Sequence, residues 1–225
     1  MTGAQRGVTP VEMARRIAVD IPDGSYVNLG IGLPTLVADA VAPGKEIVYH
    51  SENGVLGFGP APAPGEGDPE LINAGKQPVT LLPGGVYFHH TDAFVMMRGG
   101  HIDVTVLGAF QVSERGDLAN WATDAAAMPP AVGGAMDLAV GAKRVLAMTT
   151  HTTKDGRPKL LPHCTFPLTA ARVVDRVYTD LAVIDVAADG FLVREMAPGL
   201  TRDELQGLTA AQLGFAHEVG EIPRA

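Results

Sequence analysis

The chain has 225 residues, 46% of them apolar, which suffices for one full-sized domain with a core of its own. Its formal net charge of −8 is spread without any long acidic or basic run, which argues against a nucleic-acid or anionic-membrane surface but leaves room for a local basic pocket. The lone cysteine, Cys164, excludes an internal disulfide framework, and no stretch approaches the ~20 apolar residues of a transmembrane helix.

At the N-terminus, Met1-Thr2-Gly3-Ala4-Gln5-Arg6 has no apolar signal-peptide core, so a cytoplasmic chain forming a single domain over 1–225 is expected. Thr9-Pro10-Val11-Glu12 reads as a helix start, with Thr9 as cap, Pro10 in the first helical position and Glu12 closing a capping box. Val11, Ala14, Ile17 and Ala18 repeat at helical spacing until Pro22-Asp23-Gly24 stops the run. Ser25–Leu29 is a β-prone run that breaks at Gly30-Ile31-Gly32-Leu33-Pro34, and 35–41 reads as helix. Ile47–Ser51 is a second strand ending at Glu52-Asn53-Gly54. This order is a βαβ unit and implies a parallel sheet. Residues 57–75 form the longest irregular stretch, with Pro60, Pro62, Pro64 and Pro69 in it. Further strands are predicted at 79–82, 103–107, 144–149, 173–177, 181–186 and 192–195, and helices at 91–97, 134–142 and 201–208, with a frayed tail after Phe215. The fold class is α/β in three layers: a mostly parallel sheet between helices, with antiparallel strands added toward the C-terminus.

Two readings compete for the first βαβ unit. Gly30 and Gly32 between strand and helix, with Glu52 ending the next strand, resemble a dinucleotide fingerprint in a nicotinamide oxidoreductase. Against it, Thr35 occupies the third glycine position and Pro34 stands in the turn. The other reading centres on His50-Ser51-Glu52-Asn53-Gly54-Val55-Leu56-Gly57, where Asn53-Gly54 permits a sharp turn that projects Glu52 from a strand end. A solvated turn glutamate remains the plain alternative. His89, His90 and Asp92 lack a convincing third or fourth partner for a metal, so no metal site is expected. Cys164 reads as a small filler, and Trp121 as core.

The string Ser51-Glu52-Asn53-Gly54, with Gly57 after it, resembles the active-site signature of the β subunits of family I CoA-transferases. The likeness extends to Asn28-Leu29-Gly30-Ile31-Gly32-Leu33-Pro34, Leu71-Ile72-Asn73-Ala74-Gly75-Lys76, Met97-Arg98-Gly99-Gly100-His101-Ile102-Asp103, Gly116-Asp117-Leu118-Ala119-Asn120-Trp121, Gly133-Gly134-Ala135-Met136-Asp137-Leu138 and Tyr178-Thr179-Asp180-Leu181-Ala182-Val183. The resemblance implies a fold shared with some sugar-phosphate isomerases and a covalent mechanism through Glu52. It implies Gly133 as an oxyanion donor, and Asn28, Gly30, Gly57, Lys76 and Gly134 as the surroundings of coenzyme A, which is a substrate and no permanent cofactor. Succinyl-CoA is the implied donor and a 3-oxo acid the acceptor. The Gly59-Pro60-Ala61-Pro62-Ala63-Pro64-Gly65-Glu66 loop and Tyr87-Phe88-His89-His90 look most like 3-oxoadipate CoA-transferases of aromatic catabolism, with acetoacetate enzymes of ketone-body metabolism as the alternative. The Gly-Gly-Phe signature of the α half does not occur, so an α subunit is the expected partner, in a heterodimer or its dimer. A non-catalytic ligand-binding subunit on the same fold is the remaining class.

Overall fold

The computed structural model describes residues 7–123 and 131–224, so the reading of residues 1–6 lies outside the described residues. Among the described residues the α-helices are α1 (Pro10–Asp20), α2 (His90–Arg98), α3 (Ala135–Gly141) and α4 (Arg202–Gly207). The strands are β1 (Ser25–Leu29), β2 (Ile47–Ser51), β3 (Val55–Phe58), β4 (Leu81–Tyr87), β5 (Val104–Gly108), β6 (Gln111–Ser113), β7 (Leu118–Ala119), β8 (Arg144–Met148), β9 (Leu160–Leu161), β10 (Arg176–Tyr178), β11 (Ala182–Ala187), β12 (Gly190–Met196) and β13 (Leu213–Glu221).

Ten of them build one sheet in the order β13-β12-β11-β10-β8-β5-β1-β2-β3-β4. The centre, β10-β8-β5-β1-β2, is parallel throughout. Antiparallel strands extend both flanks: β11 and β12 on one side, as expected, and β3 and β4 on the other. Alternation along the central strands sorts side chains to two cores. Val104, Val106, Leu146 and Met148 face one way, onto Met13, Ala14, Ile17 and Ala18 of α1. Leu107, Val145, Ala147 and Val177 face the other, onto Met97 of α2 and Leu138 and Ala139 of α3. That second face is also covered by α4, through Leu205, and by a small sheet of β7-β6-β9, through Leu118, Val112 and Leu160.

The start of α1 forms as its sequence dictates: the Glu12 N–H donates to Thr9 Oγ1 at 3.2 Å and the Thr9 N–H to Glu12 Oε2 at 2.6 Å. Several expectations are corrected. The segment read as helix over 35–41 is a 3-10 helix, Leu33–Ala40, and so lacks the α-helical N-terminus that a dinucleotide pyrophosphate needs. The strand placed at 79–82 is β4, running on to Tyr87. The one placed at 173–177 is β10, because Val173 and Val174 are spent on turn bonds to the Gly116 carbonyl. The tail after Phe215 is not frayed: β13 pairs in parallel with β12, Leu213 against Phe191 and Phe215 against Val193.

Candidate active site

The turn after β2 holds its glutamate rigidly. The Gly54 N–H donates to the Ser51 carbonyl at 3.0 Å. Gly54 has φ +105°, and a Cβ there would meet the Phe88 carbonyl oxygen at 2.2 Å, so glycine alone fits. Two side chains tie this turn to the next loop. Ser51 Oγ accepts from the Ala74 N–H at 2.9 Å, and Asn53 Nδ2 donates to the Ile72 carbonyl at 2.7 Å. Between them Glu52 projects into a cavity of about 530 Å³. The cavity opens at the carboxyl ends of β1, β5 and β8, which is where open α/β sheets accept ligands.

Opposite Glu52 lies the Val132-Gly133-Gly134 turn leading into α3. A Cβ on Gly134 would stand 1.9 Å from Glu52 Oε2, so the carboxylate rests directly on the Gly134 backbone. Gly134 itself has φ −77° and ψ −4°, open to any residue, so the close approach is what demands glycine here. Gly133, also in the cavity wall, has φ +56°, and a Cβ there would have open space around it, so its demand is conformational. Burial pushes the Glu52 carboxyl above the ordinary range; His90 opposes that shift and Asp137 adds to it.

Asn28 and Gly30 line the same cavity. Asn28 is buried, and its amide nitrogen donates to the His50 carbonyl at 3.1 Å and lies 3.0 Å from His50 Nδ1. It thereby fixes the strand two residues ahead of Glu52. His50 stacks on Phe88, and burial pulls its pKa down to about 4, so the ring is neutral at physiological pH. Gly30 carries its backbone close over β5, where a Cβ would meet the Val106 carbonyl oxygen at 3.1 Å.

Gly57 and Lys76 do not line the cavity. A Cβ on Gly57 would meet Gly85 Cα at 3.0 Å, so this glycine serves the crossing of β3 and β4. Lys76 sits exposed at φ +62° in the 73–77 turn, whose Ala74 does reach the wall. Of the long 57–75 segment only Ala74 lines the cavity, so the proline-rich part does not cover Glu52. His89 caps α2, accepting from the Thr91 N–H at 3.3 Å, while the His90 ring lies tilted against Phe94. Burial pushes the Cys164 thiol up to about 11, leaving it unreactive.

Two wall residues escaped the sequence reading. Trp121, expected in the core, stands in the cavity wall, its indole N–H donating to the Leu168 carbonyl at 3.1 Å. Lys159 also lines the cavity, its ammonium donating to Thr149 Oγ1 at 3.0 Å and Thr150 Oγ1 at 2.8 Å. Nothing local marks it: Arg157-Pro158-Lys159 reads as an ordinary loop, and only its bonds to the loop after β8 and to β6 bring it in.

A family model described as coenzyme A transferase matches residues 11–207, most of the chain. The chain belongs to the coenzyme A transferase family. Among its relatives, the B subunit of the 3-oxoadipate CoA-transferase of Acinetobacter baylyi is 58% identical over 206 residues, spanning 92% of this chain and 95% of that one. The B subunit of the succinyl-CoA:3-ketoacid coenzyme A transferase of Helicobacter pylori is 45% identical over 198 residues, spanning 88% and 95%. Among solved structures, the acyl-CoA transferase YdiF of Escherichia coli O157:H7 superposes with a TM-score of 0.75 at 19% identity. The match covers 94% of this chain and 42% of that one, and it bears on the fold alone. As a CoA-transferase chain, the protein carries a cavity lined by a carboxylate at the sheet edge where a ligand of this fold class is received. Among the described residues, no helix is long and apolar enough to cross a membrane.

Proposed function

We propose that this chain is the glutamate-bearing β subunit of an enzyme that moves CoA from succinyl-CoA to a 3-oxo acid, 3-oxoadipate in preference to acetoacetate. The observation that carries the reading is the Glu52 carboxylate held against the Gly134 backbone inside the cavity. Glu52 attacks the thioester carbonyl carbon; a C–O bond forms, the C–S bond breaks, and CoA leaves as the thiolate. The thiolate then attacks the Glu52 carbonyl of the resulting anhydride, forming an enzyme thioester and releasing succinate. The carboxylate of the second acid attacks that thioester and the same two exchanges run in reverse. A desolvated carboxylate suits this work, because water stabilises it less than it would a surface glutamate.

The backbone N–H groups of Gly133 and Gly134 are read as donors to the oxyanion, each worth roughly 3 kcal/mol in comparable acyl transfers. Asn28 acts through His50 on the position of Glu52, and Gly30 lets an acyl group approach the backbone. Lys76, exposed beside the cavity's Ala74, is read as a contact for the polar arm of CoA. Gly57 is read as shaping the β3–β4 platform under that arm. An α subunit completes the site, in a heterodimer or its dimer, and the compartment is the cytoplasm. The single sheet that gathers strands from residue 25 to residue 221 supports reading 1–225 as one domain.

The preference for 3-oxoadipate rests on identities of 58–60% to 3-oxoadipate relatives against 44–50% to succinyl-CoA:3-ketoacid relatives. Co-expression with the α partner and assay of CoA exchange from succinyl-CoA tests it. The expected result is a higher kcat/KM for 3-oxoadipate than for acetoacetate. The reverse order would keep the mechanism and replace the acceptor.

A further inference from the structure

Among the described residues of the cavity wall, Glu52 is the one acidic side chain and Lys159 the one basic side chain. The use of Glu52 follows from the chemistry above, whereas that chemistry leaves Lys159 without a task. Its backbone is pinned from both sides: its N–H donates to the His151 carbonyl at 3.1 Å, and its carbonyl accepts from the Val112 N–H at 3.0 Å. Its ammonium is held by two neutral hydroxyls, and no carboxylate forms an ion pair with it among the described residues. Burial pulls its pKa down, countered by Asp180, whose Oδ1 is occupied by the His151 N–H at 2.7 Å. A fixed, half-desolvated cation with one donor position to spare, facing a cavity, is an anion subsite by construction.

The strand order fixes where that subsite lies. Between β8 and β2 stand β5 and β1, three inter-strand steps or ~14 Å at ~4.8 Å each. Each side chain is tied to groups beside β5. Glu52 reaches over Gly134 at the start of α3, which packs on β5. The Lys159 ammonium hangs on Thr149, whose hydroxyl donates to the Ala109 carbonyl just beyond β5. Both side chains line the one cavity that opens at the end of β5.

Resting on the reading of Glu52 as the acyl-carrying nucleophile, we infer that Lys159 binds the second, non-reacting carboxylate of a dicarboxylic acyl group. Lys159, carried by Thr149 and Thr150, selects four- to six-carbon diacids over monocarboxylic acids of the same length. It acts in binding, by orienting the far end of the chain so that the near carboxyl meets Glu52.

The test uses the assembled complex of this chain with its α partner. The enzyme is loaded as the CoA thioester from excess succinyl-CoA, desalted, and discharged with succinate or with butyrate, which replaces the second carboxylate by a methyl group. The wild type is expected to favour succinate by about 100-fold or more, and K159M to lose about 10- to 100-fold of that preference. K159R, which keeps the charge but moves it, is expected to retain an intermediate preference, and gives a second variant should K159M fold poorly. Absence of a preference in the wild type overturns the inference, as does a preference that survives K159M. Discharge by 3-oxoadipate against acetoacetate is read separately in the wild type. Failure there sinks the choice of acceptor without touching Lys159, and failure to form any thioester sinks the role of Glu52.

Discussion

Gly133 and Gly134 stand side by side, yet the molecule asks different things of them. An alanine methyl at 134 would occupy the space of Glu52 Oε2, so G134A must displace the carboxylate, while its backbone conformation suits alanine. A displacement of about 1 Å costs reacting geometries on the order of 100-fold. G134A is therefore expected to lower kcat by about that factor with little change in melting temperature, both measured on the assembled enzyme. G133A meets nothing within 4 Å but must hold φ +56°, so its cost is about 1 kcal/mol of stability and a smaller loss of rate. Equal losses of kcat in the two variants would refute this division. E52Q is expected to abolish steady-state exchange. It should also raise the melting temperature at pH 7, because it removes a carboxylate whose charged form burial disfavours. With the folded pKa above the unfolded one, that carboxylate costs stability once pH rises past the ordinary ~4.3 of glutamate, and the stabilising effect of E52Q should vanish below it. The placing of Glu52 and Gly134 beside one cavity was legible in the sequence because local motifs carry them. Lys159 and Trp121 were not, because they reach the cavity only through long-range strand and loop packing.

One charged cluster couples α1 to the antiparallel flank of the sheet. Asp20, at the end of α1, accepts from Arg16 Nη1 at 2.6 Å, from Arg176 Nη1 on β10 and from the Tyr178 hydroxyl. Arg16 continues to Glu195 on β12 with two bonds of 2.6 and 2.7 Å, and Arg176 to Asp185 on β11. Burial pushes the Asp20 carboxyl up, but Tyr178, Arg16 and Arg176 together outweigh it and hold it below the ordinary range. A carboxylate lowered on folding contributes stability above its unfolded pKa, near ~3.9, and loses that contribution as pH falls through the folded value. D20N is expected to cost about 2–3 kcal/mol at pH 7, leaving two arginines short of a partner in a part-buried setting, and to flatten the loss of stability below pH ~4. Urea unfolding at pH 7 and pH 3 reads both effects. The sequence carries such elements unevenly. The capping box at Thr9 and the apolar repeat of α1 announced that helix, whereas β13 is an edge strand in which His217 interrupts the alternation of Leu213, Phe215 and Val219. Strands of two or three residues, such as β6, β7 and β9, are too short to show a period at all. Their pairing is a property of the folded chain.

At the scale of the molecule, the cavity is half a site in the proposed assembly. Ile31 is 69% exposed and Phe110 41% exposed, both on the cavity wall, and Met136 on α3 adds a further exposed apolar side chain. Apolar groups around an active-site mouth are the surface that an α subunit would cover in the proposed assembly. That cover matters for the proposed mechanism, in which an enzyme thioester on Glu52 waits for an acid without meeting water. The proline-rich 57–75 segment does not supply it, because only Ala74 of that stretch touches the cavity. The isolated chain is thus expected to show no CoA exchange, and any thioester formed on it to hydrolyse, releasing CoA thiol without transfer to the acceptor. Addition of the α partner should convert that release into exchange, with thiol titration and acyl-CoA chromatography following the two fates in the same sample. Exchange by the isolated chain at the rate of the complex would show that the water-excluding cover belongs to this chain after all.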